Sequence, residues 1–144
     1  MKVEIKKLRE NAVIPHYATV GSAGADLYAC LDGEIVIRSG ESAYIPCGFA
    51  MAIPEGYGGL VYARSGLASK QGLAPSNKVG VIDSDYRGEI TVSLFNQSKV
   101  DRSISSGDRI AQLVIAPVYQ ADFSLVDALD DTTRGQGGFG STGK

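Results

Sequence analysis

Apolar and polar positions alternate in short runs along most of the chain, and Gly, Pro, Asn and Asp interrupt them at close intervals. A period of two marks half-buried strands. It predicts strands over Glu34–Arg38, Ala43–Pro46, Phe49–Ile53, Gly59–Ala63 and Glu89–Phe95. Arg109–Val118 is largely apolar and predicts a longer strand buried on both faces. Two β-runs flank the turn-rich loop within Val79–Ile90, which predicts a hairpin there. One stretch reads as helical: Ser65 caps a short helix over Gly66–Gln71, and Gly72 closes it. Val126–Asp131 reads equally as a weak helix or as a loop, because Asp127, Asp130 and Asp131 interrupt it. Many short strands with turns between them predict an all-β fold, a jelly roll or small barrel with one short helix. Residues 1–133 form one β-rich domain. Arg134–Lys144 differs in kind, with five glycines and Phe139 as its only large apolar residue, and predicts a flexible tail.

Composition narrows the range of functions. A chain of 144 residues is one domain's worth of material. Its net charge of -2 and lack of any basic block argue against long nucleic acid as a partner. No apolar run approaches the roughly 18 residues of a membrane span. Met1–Glu10 is charged throughout and does not read as a signal peptide. Cys30 and Cys47 form no CxxC and read as reduced thiols, which places the protein in the cytoplasm. The single histidine, His16, lies in an irregular stretch beside Pro15. A Ser-His-Asp triad or a His/Cys zinc site would rest on it alone, so any general base is expected to be a carboxylate.

Five stretches carry candidate chemistry. Ala23-Gly24-Ala25-Asp26-Leu27 sets one acid among small residues just before a further expected strand, either a turn aspartate or a holder of metal-bound water. Arg64-Ser65-Gly66-Leu67-Ala68 ends a strand in a guanidinium and opens a helix. That suits phosphate, or a plain cap with a surface Arg. In Gly80-Val81-Ile82-Asp83-Ser84-Asp85-Tyr86-Arg87-Gly88, two acids follow an apolar run. Close carboxylates beside a low-dielectric wall supply general bases, though turns also use them. Gly107-Asp108-Arg109-Ile110-Ala111-Gln112-Leu113 buries the amide of Gln112, which must find partners in structure or ligand. Gly135-x-Gly137-x-x-Gly140 fits a dinucleotide fingerprint only literally, because no helix can follow so near the chain's end. Its glycines can still present N–H groups to an anion, Arg134 a planar donor fork, and Phe139 a face for a base.

Taken together and in this order, the five stretches resemble the five motifs of the trimeric dUTPase family, and the match runs from Ala23 to Gly143. The resemblance implies a jelly-roll protomer and a homotrimer with three sites, each shared between subunits. It implies Mg²⁺-assisted hydrolysis of dUTP to dUMP and pyrophosphate by water attack on the α-phosphorus. Such a reaction keeps uracil out of DNA and supplies dUMP for dTMP synthesis. By motif match, Asp83 activates the water and Tyr86 stacks under the deoxyribose, leaving no room for a 2′-hydroxyl. The backbone near Val81 and Ile82, with Asn77, reads uracil. Arg64, Ser65 and Gly66 bind the phosphate chain. Asp26 and Gln112 hold waters of the Mg²⁺ shell or phosphate oxygens. From the tail, Arg134 reaches the γ-phosphate, Phe139 covers the base, and Gly140 and Ser141 also bind substrate. Two alternatives stand beside this reading: a dCTP deaminase-related enzyme of the same fold, and a non-catalytic nucleotide-binding β module.

Overall fold

The computed structural model describes residues 1–139. Among them eleven strands run antiparallel in four small sheets. The strands are β1 (Glu4–Lys7), β2 (Ala25–Tyr28), β3 (Ile35–Ile37), β4 (Ser42–Pro46), β5 (Phe49–Ala52), β6 (Tyr57–Tyr62), β7 (Leu73–Pro75), β8 (Gly80–Ile82), β9 (Thr91–Asn96), β10 (Arg102–Ile104) and β11 (Arg109–Pro117). The largest sheet has the order β2-β11-β6-β8, and a second has β4-β9-β7, while β1 pairs with β5 and β10 with β3. This is the jelly-roll-like architecture expected from the strand spacing.

Alternation drives the packing. In β9, Val92, Leu94 and Asn96 point inward and are at most 2% exposed, while Thr91, Ser93 and Phe95 face outward. Leu27, Ile45, Phe49, Leu73 and Ile110 join Leu94 in one core, all fully buried. Asn96 is the one uncharged polar side chain in that core among the described residues, and every polar atom of it is used. Its amide nitrogen donates to the carbonyls of Ile37 (2.9 Å) and Val100 (2.8 Å), and its oxygen accepts from the Ser98 N–H and hydroxyl. Asn96 thereby ties the end of β9 to β3 and to the turn entering β10. Cys30 and Cys47 are both free and buried, and burial pushes the Cys47 thiol up to about 12.

The six expected strands are present, with ends shifted by one or two residues. Arg109–Val118 forms β11, but only its first half is fully buried, at Ile110, Ala111 and Leu113. Three strands escape the sequence reading. β1 is charged and mostly exposed, β7 is an edge strand ending in Pro75, and β10 has only three residues.

Two local expectations are corrected. The stretch Val79–Ile90 is not a hairpin, because β8 pairs with β6 while β9 pairs with β4 and β7. The intervening loop crosses between sheets, and Ile90 anchors it by donating to the Phe49 carbonyl and accepting from Cys47 N–H. Ser65 does not cap the helix, which is one turn over Leu67–Gln71 with Gly66 before it and no side-chain cap bond. Gly72 does close it, at φ 72°, donating to Ala68 O. Val126–Asp131 forms no helix.

Replacing Asn96 by Ala leaves the buried Ile37 carbonyl and the Ser98 N–H without their partner, while the Ser98 hydroxyl still reaches the Val100 carbonyl at 2.9 Å. Asn96→Ala is expected to lower stability by about 3 kcal/mol, read as a drop in urea midpoint at unchanged slope. A midpoint within error of the parent's would show that water replaces the amide.

Candidate active site

Two groups of the expected residues gather on the β2-β11-β6-β8 sheet. The first surrounds a cavity of about 270 Å³ whose wall includes Asn77, Gly80, Val81, Ile82, Asp83 and Tyr86. β8 supplies the backbone edge, and Asp83 sits one residue past its end. A Cβ on Gly80 would crowd Val61 Cβ at 3.2 Å, while the Asn77 amide nitrogen would stand at an ordinary contact distance of 3.4 Å. Asp85 lines an outer hollow and not this cavity, whereas Asp83 borders both. Of the two loop acids, only Asp83 lines this cavity.

The second group centres on Asp26, whose side chain is only 12% exposed. Its Oδ1 accepts from Arg64 Nε at 2.8 Å and its Oδ2 from an Arg109 terminal nitrogen at 3.3 Å. Arg64 is held by Nε, which leaves its terminal fork free for a ligand. Ser65, Gly66 and Gln112 complete the wall of a hollow of about 320 Å³. The Gln112 amide nitrogen donates to Ala63 O at 2.8 Å, and its oxygen lies over Gly24, where a Cβ would come within 2.7 Å of it. One acid against two guanidiniums leaves the cluster with an excess positive charge.

Arg109 is the residue the sequence reading passed over. Three positions separate it from Gln112, so regular alternation would point the two side chains to opposite faces. Strand β11 breaks that alternation. Against β2, Arg109 faces Tyr28 and Ala111 faces Leu27, so one extra residue bulges at Ile110. Ile110 and Ala111 are consecutively buried as a result. The bulge brings Arg109 and Gln112 to one face, together with Asp26, which sits opposite Gln112. Nothing in the sequence marks it beyond an Arg at the head of an apolar run.

The two groups are far apart within one chain. Ile82 is opposite Gly59, and Asp26 lies level with Gln112 and Tyr62. From β8 to β2 is three strand spacings, about 14 Å, with a further three residues, about 10 Å, along the strands. The tail belongs to neither group. Arg134 Nε donates to Gly137 O at 2.8 Å in a local turn, and Phe139 is fully exposed with φ 50°. Gly140 and Ser141 lie outside the described residues.

With this geometry in hand, the comparisons decide the family. The dUTPase family model matches residues 10–143. The chain belongs to the dUTPase family. A deoxyuridine 5′-triphosphate nucleotidohydrolase of Desulfitobacterium hafniense is 53% identical over 146 residues, covering 99% of this chain and 97% of that protein. One from Thiobacillus denitrificans is 47% identical, covering 100% and 99%. Among solved structures, a mutant dUTPase of Staphylococcus bacteriophage 80alpha with dUpNHpp superposes with a TM-score of 0.91 at 29% identity, covering 99% of each chain. A mutant dUTPase of S. aureus phage phi11, described with a structural Mg(II) ion, has a TM-score of 0.82 at 27% identity and covers 91% of this chain and 100% of that one. This dUTPase is therefore an enzyme that hydrolyses dUTP.

The charge balance around Asp26 gives a direct test. Asp26→Asn removes the anion between two guanidiniums, and stability is expected to fall by about 2 kcal/mol. Adding Arg109→Ala is expected to restore part of that loss, because the repulsion goes with it. An additive double mutant, measured by chemical denaturation, would show that the two side chains do not share this contact.

Proposed function

We propose that dUTP, carrying Mg²⁺ on its phosphates, binds between subunits of a homotrimer. Uracil and deoxyribose occupy the Asn77–Tyr86 cavity of one protomer. The phosphates lie on the Asp26–Arg64–Gln112 cluster of a second, and the tail of a third closes over them. The separation of the two groups carries this reading. A triphosphate is far shorter than the distance from Asp83 to Arg64 within one chain, so a single protomer holds half a site. The segment after β11 supports it too. Tyr119, Phe123, Leu125 and Leu129 are each at least 87% exposed, apolar surface of the kind a second copy covers.

In this reading, Asn77 and the β8 backbone read the uracil edge, and the Tyr86 ring lies against the sugar. Asp83 takes a proton from the attacking water as the new P–O bond forms at the α-phosphorus. The bond to the bridging oxygen breaks, and pyrophosphate leaves. The Arg64 fork, the Ser65 and Gly66 backbone, and Arg134 neutralise and orient the phosphates, which is most of what phosphoryl chemistry requires. Gly140 and Ser141 extend that grip from the tail.

The residues fit a metal carried in by the substrate. Among the described residues no three metal-ligating side chains gather, yet Asp26 and the Gln112 amide oxygen offer hard oxygen acceptors beside the phosphate hollow. Such a set suits Mg²⁺ held through water. When bound, the ion offsets negative charge on the triphosphate. Among those residues, no helix is long and apolar enough to cross a membrane. Two buried free thiols are in keeping with a reducing cytoplasm.

Asp83→Asn keeps the side-chain shape and removes the proton acceptor. It is expected to lower kcat by about 10²–10⁴-fold with dUTP affinity nearly unchanged. Retained turnover would move the base elsewhere.

Subunit mixing tests the shared site. Chains truncated after Thr133 and Asp83→Asn chains are each expected to be inactive as pure trimers. Mixed trimers regain activity, because an intact Asp83 from one chain then meets an intact tail from another. Two inactive variants that stay inactive after subunit exchange, confirmed by mass spectrometry, would refute the shared site.

A further inference from the structure

The loop carrying Asp83 and Tyr86 is held rigidly except at one place. Tyr86 N–H donates to Asp83 O at 3.2 Å, closing a turn. One Arg87 terminal nitrogen donates to both Ser84 O (2.7 Å) and Tyr86 O (3.0 Å), fixing the backbone from outside. Glu89 anchors the far end, its carboxylate accepting from Gly48 N–H at 3.0 Å and lying 3.6 Å from Arg9 Nε. The Tyr86 ring is less constrained. It is 46% exposed, and its hydroxyl donates to Glu89 O at 3.3 Å, a long bond for a hydroxyl donor.

Gly88 lies directly behind that ring. A Cβ there would stand 2.5 Å from Tyr86 Cζ and 3.0 Å from Cε2, and closer still to the hydroxyl oxygen. No real carbon approaches a ring so closely, so the phenol end occupies the space a side chain at position 88 would take. The backbone makes no such demand, because Gly88 is not among the residues with positive φ. This position therefore needs a glycine for the sake of its neighbour's ring and not for its own conformation.

We infer that Gly88 is a determinant of sugar selectivity, acting by giving the Tyr86 ring the seat from which it excludes a 2′-hydroxyl. The inference rests on the reading that Tyr86 meets the sugar. With a methyl at position 88 the ring must swing off its seat and lose the Glu89 carbonyl. A ring no longer backed by the loop can yield to an added hydroxyl, because exclusion by contact works only while the wall cannot move. Gly88 touches no substrate in this account. It is a positioning residue, and its effect must pass through Tyr86.

The experiment is a double-mutant cycle read as the ratio of kcat/KM for dUTP over UTP. Tyr86→Ala is expected to lower this ratio, and Gly88→Ala to lower it at least tenfold with Tyr86 still present. In the Tyr86→Ala background, Gly88→Ala is expected to change it no further. Thermal midpoint should barely move in Gly88→Ala, since alanine meets no backbone strain there. If Tyr86→Ala leaves the ratio at the parent value, the sugar-wall reading of Tyr86 fails and takes this inference with it. If Tyr86→Ala lowers the ratio but Gly88→Ala does not, the seat alone is refuted. An equal effect of Gly88→Ala in both backgrounds would likewise refute it, because the glycine would then act through something other than the ring.

Discussion

The bulge at Ile110 is the constraint from which the face formed by Asp26, Arg109 and Gln112 follows. Without it, β11 would send Arg109 to the core side and Gln112 to the ligand side. A guanidinium would be buried among Leu27 and its neighbours, and Asp26 would have one partner in place of two. The same strand pairs over six residues with β6, so its register also fixes where Tyr62, and hence Arg64, stands beside Gln112. A slip of one residue would turn Gln112 inward and Leu113 outward. Burial of Leu113, Ala111 and Ile110 opposes that slip. Core packing and ligand chemistry are thus set by one alignment of one strand.

The wide sheet gives a physical reason for the proposed sharing of one site between copies of the chain. A nucleotide joins an apolar, hydrogen-bonding base to a highly charged triphosphate, and these ends want different surroundings. In the proposed reading, the partly open cavity beside β8 takes the base, and the positively charged hollow at β2 takes the phosphates. The two lie on opposite edges of the sheet, separated by β11 and β6. Edges are where one chain can meet another, because their backbone groups and side chains are not covered from within. In the proposed reading, dividing the site this way keeps each protomer's core simple and leaves chemistry to the junctions.

Much of the fold was legible because alternation is strong in β4 and β9, whose inward positions carry Ile45, Val92 and Leu94, and because the apolar runs of β5, β6 and β11 carry Phe49, Val61 and Ile110 into the core. What stayed hidden involved relations between distant segments. Val79–Ile90 looks like a hairpin from local composition, yet each of its strands finds a partner elsewhere, and no local signal records that. Ser65 has the right chemistry for a cap, but the chain turns one residue later and in a single turn that buries nothing. The chemical residues were visible by type and order: Asp83, Tyr86, Asn77, Arg64, Asp26 and Gln112 fall into the two groups described. Arg109 was not, because its importance comes from the bulge and from the carboxylate of Asp26, 83 positions away.

The glycines show a further limit of reading chemistry from residue type. Gly24 is placed so that the Gln112 oxygen can lie across it, and Gly88 so that the Tyr86 ring has a seat. Neither has the positive φ for which glycine is usually required. Each is needed for the volume it leaves to another side chain. A sequence pattern treats them as turn formers, since a turn is the commonest reason for a glycine between polar residues. The structure gives a different reason: a functional side chain must be held at a fixed place without an enclosing wall, and the simplest way is to remove the one methylene group that would push it away. The shape of this site is therefore written in absent side chains as well as present ones, since Gln112 and Tyr86, both assigned to the substrate in the proposed reaction, each lie where a neighbouring glycine's Cβ would stand.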